Sequence, residues 1–259
     1  TCFGNYGFVN KSYKIVVPLK YDQAFGFSEG LAAVAKCNEA KDRKLWGFID
    51  KTGKVVIPLR FSSAYSFSDG IAWVEDANTK LWFFIDKTGK ALSTPIYEYP
   101  GFESKFINGW SPAGIKEKNV RFPLTKYGFI DYKGQTIIPF IYAECKNFSE
   151  GFAAVKLTTF GKNDWIFINT LNQKVAEGFE YAESFRDSCA IVKKNGKYGI
   201  INYEGKLLTD LKYDRIDNFS EKSAIVKLKT DGKDKYGVIN NKGVEIVPCI
   251  YDNLRNDIY

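Results

Sequence analysis

One frame is written into this chain seven times. Trp46-Gly47-Phe48-Ile49-Asp50-Lys51-Thr52-Gly53-Lys54-Val55-Val56-Ile57-Pro58 returns as Tyr127-Gly128-Phe129-Ile130-Asp131-Tyr132-Lys133-Gly134-Gln135-Thr136-Ile137-Ile138-Pro139. The frame also starts at Tyr6, Trp82, Trp165, Tyr198 and Tyr236, so the aromatic anchors stand 40, 36, 45, 38, 33 and 38 residues apart. A second block lies between anchors: Phe27-Ser28-Glu29-Gly30-Leu31-Ala32-Ala33-Val34, Phe67-Ser68-Asp69-Gly70-Ile71-Ala72-Trp73-Val74 and Phe148-Ser149-Glu150-Gly151-Phe152-Ala153-Ala154-Val155. It returns more weakly from Phe185 to Val192 and from Phe219 to Val226. A period of about 38 residues makes each copy one supersecondary unit that buries its apolar face against its neighbours.

The units read as β-structure. The anchor strand runs to Asp or Asn, and Asp50-Lys51-Thr52-Gly53 supplies a hairpin turn, with Asp accepting local backbone bonds and Gly taking positive φ. Asn172 takes the Gly place in the fifth copy, and Tyr13 breaks the rule in the first. Val55-Val56-Ile57 forms a second strand, which Pro58 is expected to end because proline donates nothing to a ladder; Pro18, Pro139 and Pro248 stand in the same place. The Phe-Ser-acid-Gly block turns the chain into a third strand, with a short fourth near the Tyr-Asp segment. The glycine beside five of the seven aromatic anchors lets another backbone or ring approach closely. No helix-period pattern appears. The expected fold is all-β: tandem antiparallel meanders, β-propeller-like, with an open curved stack of the same units as the alternative.

The residues quoted above resemble the bacterial WG repeat family, also called KWG. The resemblance spans residues 1–259 as a single domain, and it implies binding and scaffolding in a bacterial protein without specifying an activity. Seven first hairpins and six third strands imply a fragment, or a closure in which the two ends complete one blade. Thr1 is not an initiator methionine, so a trimmed N-terminus is expected; the protein is either cytoplasmic or exported with its signal segment removed.

Composition narrows the chemistry. The 259 residues include no histidine, which removes His-based nucleophile pairs, His-ligated zinc or haem, and imidazole acid–base catalysis. No stretch is long and apolar enough for a membrane-spanning helix. The net charge of +7 is spread over 37 basic and 30 acidic residues with no basic arm, so nucleic acid is not an expected partner. The five cysteines show no CxxC. Cys145, Cys189 and Cys249 stand at small or apolar frame positions and read as packing thiols, while Cys2 and Cys37 have no assignment. The recurring acids Glu29, Asp69, Glu150, Asp187 and Glu221 read as turn residues, because a catalytic site is normally built once.

The frame slips between Pro95 and Lys126. Phe83 replaces the anchor glycine, and the segment holds Pro95, Pro100, Pro112 and Pro123. It reads as a degenerate repeat with an insertion over 95–126, and function is expected where the frame fails. Tyr97, Tyr99, Phe102, Trp110, Lys116, Lys118 and Arg121 are the candidate binding residues, read either as an exposed aromatic and basic patch or as rings buried in an irregular blade. No catalytic residue, metal site or cofactor is expected. The favoured function is non-enzymatic binding or scaffolding toward a protein partner. A carbohydrate- or anionic-ligand module is the alternative, and a carboxylate-based glycosidase the third reading.

Overall fold

The computed structural model describes residues 6–38, 43–94, 96–100, 105–117, 124–157 and 164–253, and no helix occurs among them. The chain divides into two compact units, residues 1–140 and 141–259.

In the first unit, β1 (Tyr6–Val9) pairs with β2 (Ile15–Tyr21). A four-stranded sheet follows, in the order β3 (Gln23–Ala24), β4 (Leu31–Asn38), β5 (Arg43–Asp50) and β6 (Val55–Phe61). Next come β7 (Ser63–Ala64), β8 (Ile71–Glu75) and β9 (Trp82–Asp86), then β10 (Trp110–Lys116), β11 (Thr125–Asp131) and β12 (Thr136–Cys145). Residue 140 lies within β12, whose later residues pair with β13 (Phe152–Leu157) of the second unit. That unit continues with β14 (Trp165–Asn169), β15 (Lys174–Phe179), β16 (Tyr181–Ala182), β17 (Ala190–Lys194), β18 (Lys197–Ile201), β19 (Arg215–Ile216), β20 (Ser223–Thr230), β21 (Lys233–Asn240) and β22 (Glu245–Tyr251). The sheets are antiparallel meanders, and apart from β1–β2 each mixes copies of the frame: a third strand from one copy pairs with the anchor strand of the next, and β10 to β15 form one six-stranded sheet across three copies. The described residues 97–100 and 105–116 follow the same plan, with β10 pairing residue by residue against β11.

Proline does not end the second strands. β6 runs through Pro58, β2 through Pro18, β12 through Pro139 and β22 through Pro248. Each proline sits in a bulge, where its missing N–H costs no ladder bond. Trp46 pairs with Phe61 and Phe48 with Ile57, so Gly47 alone faces Pro58, Leu59 and Arg60. The bulge presses on that glycine: a Cβ there would stand 2.5 Å from the Ile57 carbonyl oxygen and 2.8 Å from the Pro58 carbonyl carbon. Two copies that lack the glycine lack this bulge. Beside Ile166 the register encloses only Glu177 and Gly178, and beside Phe83 the second strand shrinks to the bridges Trp82–Tyr97 and Ile85–Ala91.

The anchor strand is buried on both faces. Phe48 packs with Phe61, Phe67 and Ile85, whereas its neighbour Ile49 packs with Val17, Tyr21 and Ala32 on the other side. Two full burials of this kind contribute about 1.5–3 kcal/mol each. Cys145 and Cys189 are buried free thiols, and burial pushes the Cys189 thiol up to about 12. Cys249, also free, is half-buried against Ile239 and Tyr213, whereas Cys37 is disulfide-bonded.

The hairpin turns follow the sequence. Asp50 Oδ1 accepts from the Thr52 and Lys54 amides at 2.9 and 3.1 Å, and Gly53 has φ 84°. The Thr52 hydroxyl, then those amides, hold the Asp50 carboxyl below its ordinary value against slight desolvation, and Thr88 does the same for Asp86. Asn10, Asn169, Asn202 and Asn240 make equivalent side-chain bonds.

Two outcomes follow from this geometry. Gly47→Ala should destabilise the protein by about 2–4 kcal/mol in chemical unfolding, because a backbone clash has no flexible neighbour to absorb it. Gly26→Ala, with open space around its Cβ position, should stay within about 0.5 kcal/mol of wild type. A lowered folded-state pKa adds stability above the ordinary carboxylate value of about 4 and loses it as pH falls below. The double variant Asp50→Asn/Asp86→Asn should therefore be less stable than wild type at neutral pH and draw level with it between about pH 5 and pH 2.5 in acid unfolding.

Candidate functional site

The recurring acids are consumed by the architecture. Ser28 and Leu31 exchange both backbone bonds around Glu29 and Gly30, whose φ values of 50° and 90° meet the type I′ requirement of positive φ at both central residues. Ser68–Ile71, Ser149–Phe152, Arg186–Cys189 and Ser220–Ser223 close in the same way. From these turns each sheet reaches the next. Ser28 Oγ donates to the Phe67 carbonyl at 2.7 Å, Ser68 Oγ to Phe106 at 2.9 Å and Ser149 Oγ to Phe185 at 2.7 Å. Carboxylates accept from the following turn: Glu29 from the Gly70 amide at 3.0 Å, Asp69 from Gly109 at 3.3 Å and Glu150 from Ser188 at 3.0 Å. Glu29 also pairs with Lys87 at 3.0 Å. Among the described residues, no group of three or more Cys, Asp or Glu side chains could hold a metal ion.

One frame position is left for something other than architecture. The residue after each short strand donates its N–H to the third strand: Phe25 to Ala33, Tyr65 to Trp73, Lys146 to Ala154, Glu183 to Ile191 and Asp217 to Ile225. The backbone is thus held identically while the side chain changes from Phe and Tyr to Lys, Glu and Asp. In the first unit these side chains lie on the anchor rings. Phe25 stacks on Trp46 with centroids 5.1 Å apart, and Tyr65 lies against Trp82 at 5.3 Å. Tyr99 extends the row through a hydroxyl bond with Tyr65, and burial first, then that bond, pushes its phenol up to about 12. Phe25 is 43% exposed and Tyr99 37%.

The second unit carries charge at the same position. The Lys146 ammonium stands 5.8 Å from the Trp165 ring centroid and 5.0 Å from that of Tyr181, and it pairs with Glu183 at 2.6 Å. Glu183 also accepts from the Tyr181 hydroxyl. Beside them a cavity of about 360 Å³ is lined by Tyr181, Glu183, Tyr198, Arg215, Asp217 and Asn218.

The residues singled out from sequence separate. Tyr97 is 2% exposed and packs on Trp73 and Phe84; it fills the place of Phe61 in the frame and belongs to the core, where no partner reaches its ring. Tyr99 joins the exposed row. Trp110 opens β10 and is half-buried, facing Asp131. Lys116 is exposed, 4.0 Å from Glu98. Phe102, Lys118 and Arg121 lie outside the described residues. Phe25 and Tyr65 escaped notice because they stand inside regular copies. Their signal was the variation, between copies, of a single position within an otherwise fixed frame.

The comparisons agree with this architecture. The WG containing repeat family matches residues 6–38, 46–78, 127–158, 165–198, 198–233 and 236–257. No curated protein matches the sequence. Among solved structures, an acylaminoacyl peptidase of Pyrococcus horikoshii is 13% identical with a TM-score of 0.47 over 88% of this chain and 46% of that one. A nidogen/laminin complex is 9% identical with a TM-score of 0.36 over 74% of this chain and 81% of that one. The chain spans about half the length of the peptidase it matches.

Proposed function

Because the chain belongs to the WG containing repeat family, we propose that it is a non-enzymatic binding scaffold that meets a protein partner through the aromatic row of its first unit. Family membership and the all-β repeat fold support a binding or scaffold role in general terms. The row carries the finer reading: Phe25 and Tyr99 expose large rings, Phe25 stacks on Trp46, and the Tyr99 hydroxyl bonds with Tyr65. Rings held in place lose little conformational entropy on binding, which is why aromatic residues dominate interface energetics. The recurring acids Glu29, Asp69, Glu150, Asp187 and Glu221 stand in two-residue turns at positive φ, and the first three also accept from the following turn.

Phe25→Ala and Tyr99→Ala should each weaken partner binding about tenfold, with the melting temperature changed by only a few degrees. Captured partners should be lost by the double variant and kept by Val244→Ala, which removes an exposed apolar side chain elsewhere. Equal capture by all three proteins would refute the role of the row.

A second reading has its own observation. Two tyrosines, two carboxylates, Arg215 and Asn218 around one cavity suit a small carbohydrate or anionic ligand, with rings for stacking and polar groups for orientation. Screening oligosaccharides by calorimetry should then find a ligand whose affinity falls about tenfold or more in Tyr198→Ala and Arg215→Ala. Identical heats with the variants would remove this reading.

A further inference from the structure

The positive charge of this chain is not spread evenly. Residues 1–140 hold 19 basic and 13 acidic side chains, and residues 141–259 hold 18 and 17. The surplus of +6 in the first unit is matched by three hairpin segments: residues 10–21, 50–61 and 86–97 carry eight basic residues and two acidic ones, Asp50 and Asp86. The fourth such segment, residues 131–142, is neutral. So are the three of the second unit: residues 169–179, 202–213 and 240–251 together carry four basic and four acidic residues. Lysines kept only to make turns soluble would recur in both units, because the turns recur in both.

The three basic hairpins lie against one another. A Cβ on Gly53 would stand 3.1 Å from Val17, and one on Gly89 3.1 Å from Ile57, so each turn rests on the second strand of the hairpin before it. Arg60 Nη2 also donates to the Gly89 carbonyl at 3.0 Å. All eight basic residues are exposed. Among the described residues only one of the eight, Lys87, forms an ion pair, with Glu29. The two acids face their own turns, Asp50 and Asp86 accepting from the Lys54 and Lys90 amides at 3.1 and 3.0 Å. Apolar side chains stand among the cations: Val55 and Val56 follow Lys54 directly and are 44% and 38% exposed. They belong to a sheet that others precede and follow along the chain.

We propose that this hairpin face docks the protein onto the surface of an anionic lipid bilayer. The charge selects a polyanionic occupant, and the valines select among such occupants. Lysines at the hairpin tips meet the headgroup phosphates, each adding an attraction that falls off within a Debye length. Val55 and Val56 are then covered at the boundary between headgroups and acyl chains. A soluble polyanion would use the cations and leave the valines in water. The face shares no residue with the aromatic row, so the protein carries a membrane contact in addition to its partner contact.

The test is sedimentation of the intact chain with vesicles of pure phosphatidylcholine and with vesicles holding about 30 mol % phosphatidylglycerol. Binding to the anionic vesicles alone is expected, weakened at least about tenfold between about 0.1 and 0.5 M salt. Lys51→Glu/Lys54→Glu should weaken it at least about tenfold, and Lys51→Gln/Lys54→Gln by less. The matched change in the second unit, Lys206→Glu/Lys242→Glu, should stay within about twofold of wild type. All four lysines are exposed, and circular dichroism melts check that each variant folds. Val55→Thr/Val56→Thr keeps the branched strand shape; it should weaken vesicle binding about threefold or more and leave binding to heparin, a soluble polyanion, unchanged. Equal binding to both vesicle types, no binding at about 1 mM lipid, or equal effects of the two glutamate pairs overturns the proposal. So does vesicle binding that the threonine pair leaves untouched, which would give the face to a soluble polyanion or an acidic protein.

Discussion

A proline bulge pressed onto a glycine sets the geometry on which this chain depends. The second strand of three copies carries three residues where the anchor strand carries one, and there, as at Gly128, second-strand backbone lands where a Cβ would stand. Proline suits the bulge because it brings no N–H that needs a ladder partner. Glycine suits the anchor strand because nothing larger fits beneath. The copies that lose the glycine, at Phe83 and Ile166, also change or lose the bulge, and the copy at Gly199 keeps the glycine while its second strand shrinks to the bridges Tyr198–Tyr213 and Ile201–Leu207. The bulge keeps the anchor ring and the two residues after glycine aimed at opposite faces of the sheet. Sheets of this kind bury both faces, and a chain of them follows.

Stacking is then held by a short-range relay. In three copies the two-residue turn before the third strand places a hydroxyl and a carboxylate against the next sheet. The carboxylates sit where positive φ is required, although glycine or asparagine would be the easier occupant. Their use as acceptors for neighbouring amides offsets that strain. Acids that look catalytic in isolation are thereby explained as joints, and charge is left for function only where the relay does not need it.

What remains free is one side chain per copy, held by a backbone bond and resting near an anchor ring. Aromatic in the first unit and charged in the second, it gives two surfaces of different chemistry from one structural device.

Much of this was legible in the sequence. The period, the all-β class, the hairpin turns, the packing of Cys145 and Cys189 and the structural role of the acids follow from residue type and spacing, because each is enforced locally and repeated. Proline misled, since a strand end and a bulge ask for the same missing donor and differ only in what lies across the ladder. Tyr97 misled in a similar way: an aromatic in an irregular segment reads equally as patch or core, and only its contacts with Trp73 and Phe84 place it in the core. Local order was thus determined by the sequence alone, because turns and strands answer to neighbours along the chain. Which rings reach solvent was decided by the tertiary structure, because it depends on what the adjacent sheet covers.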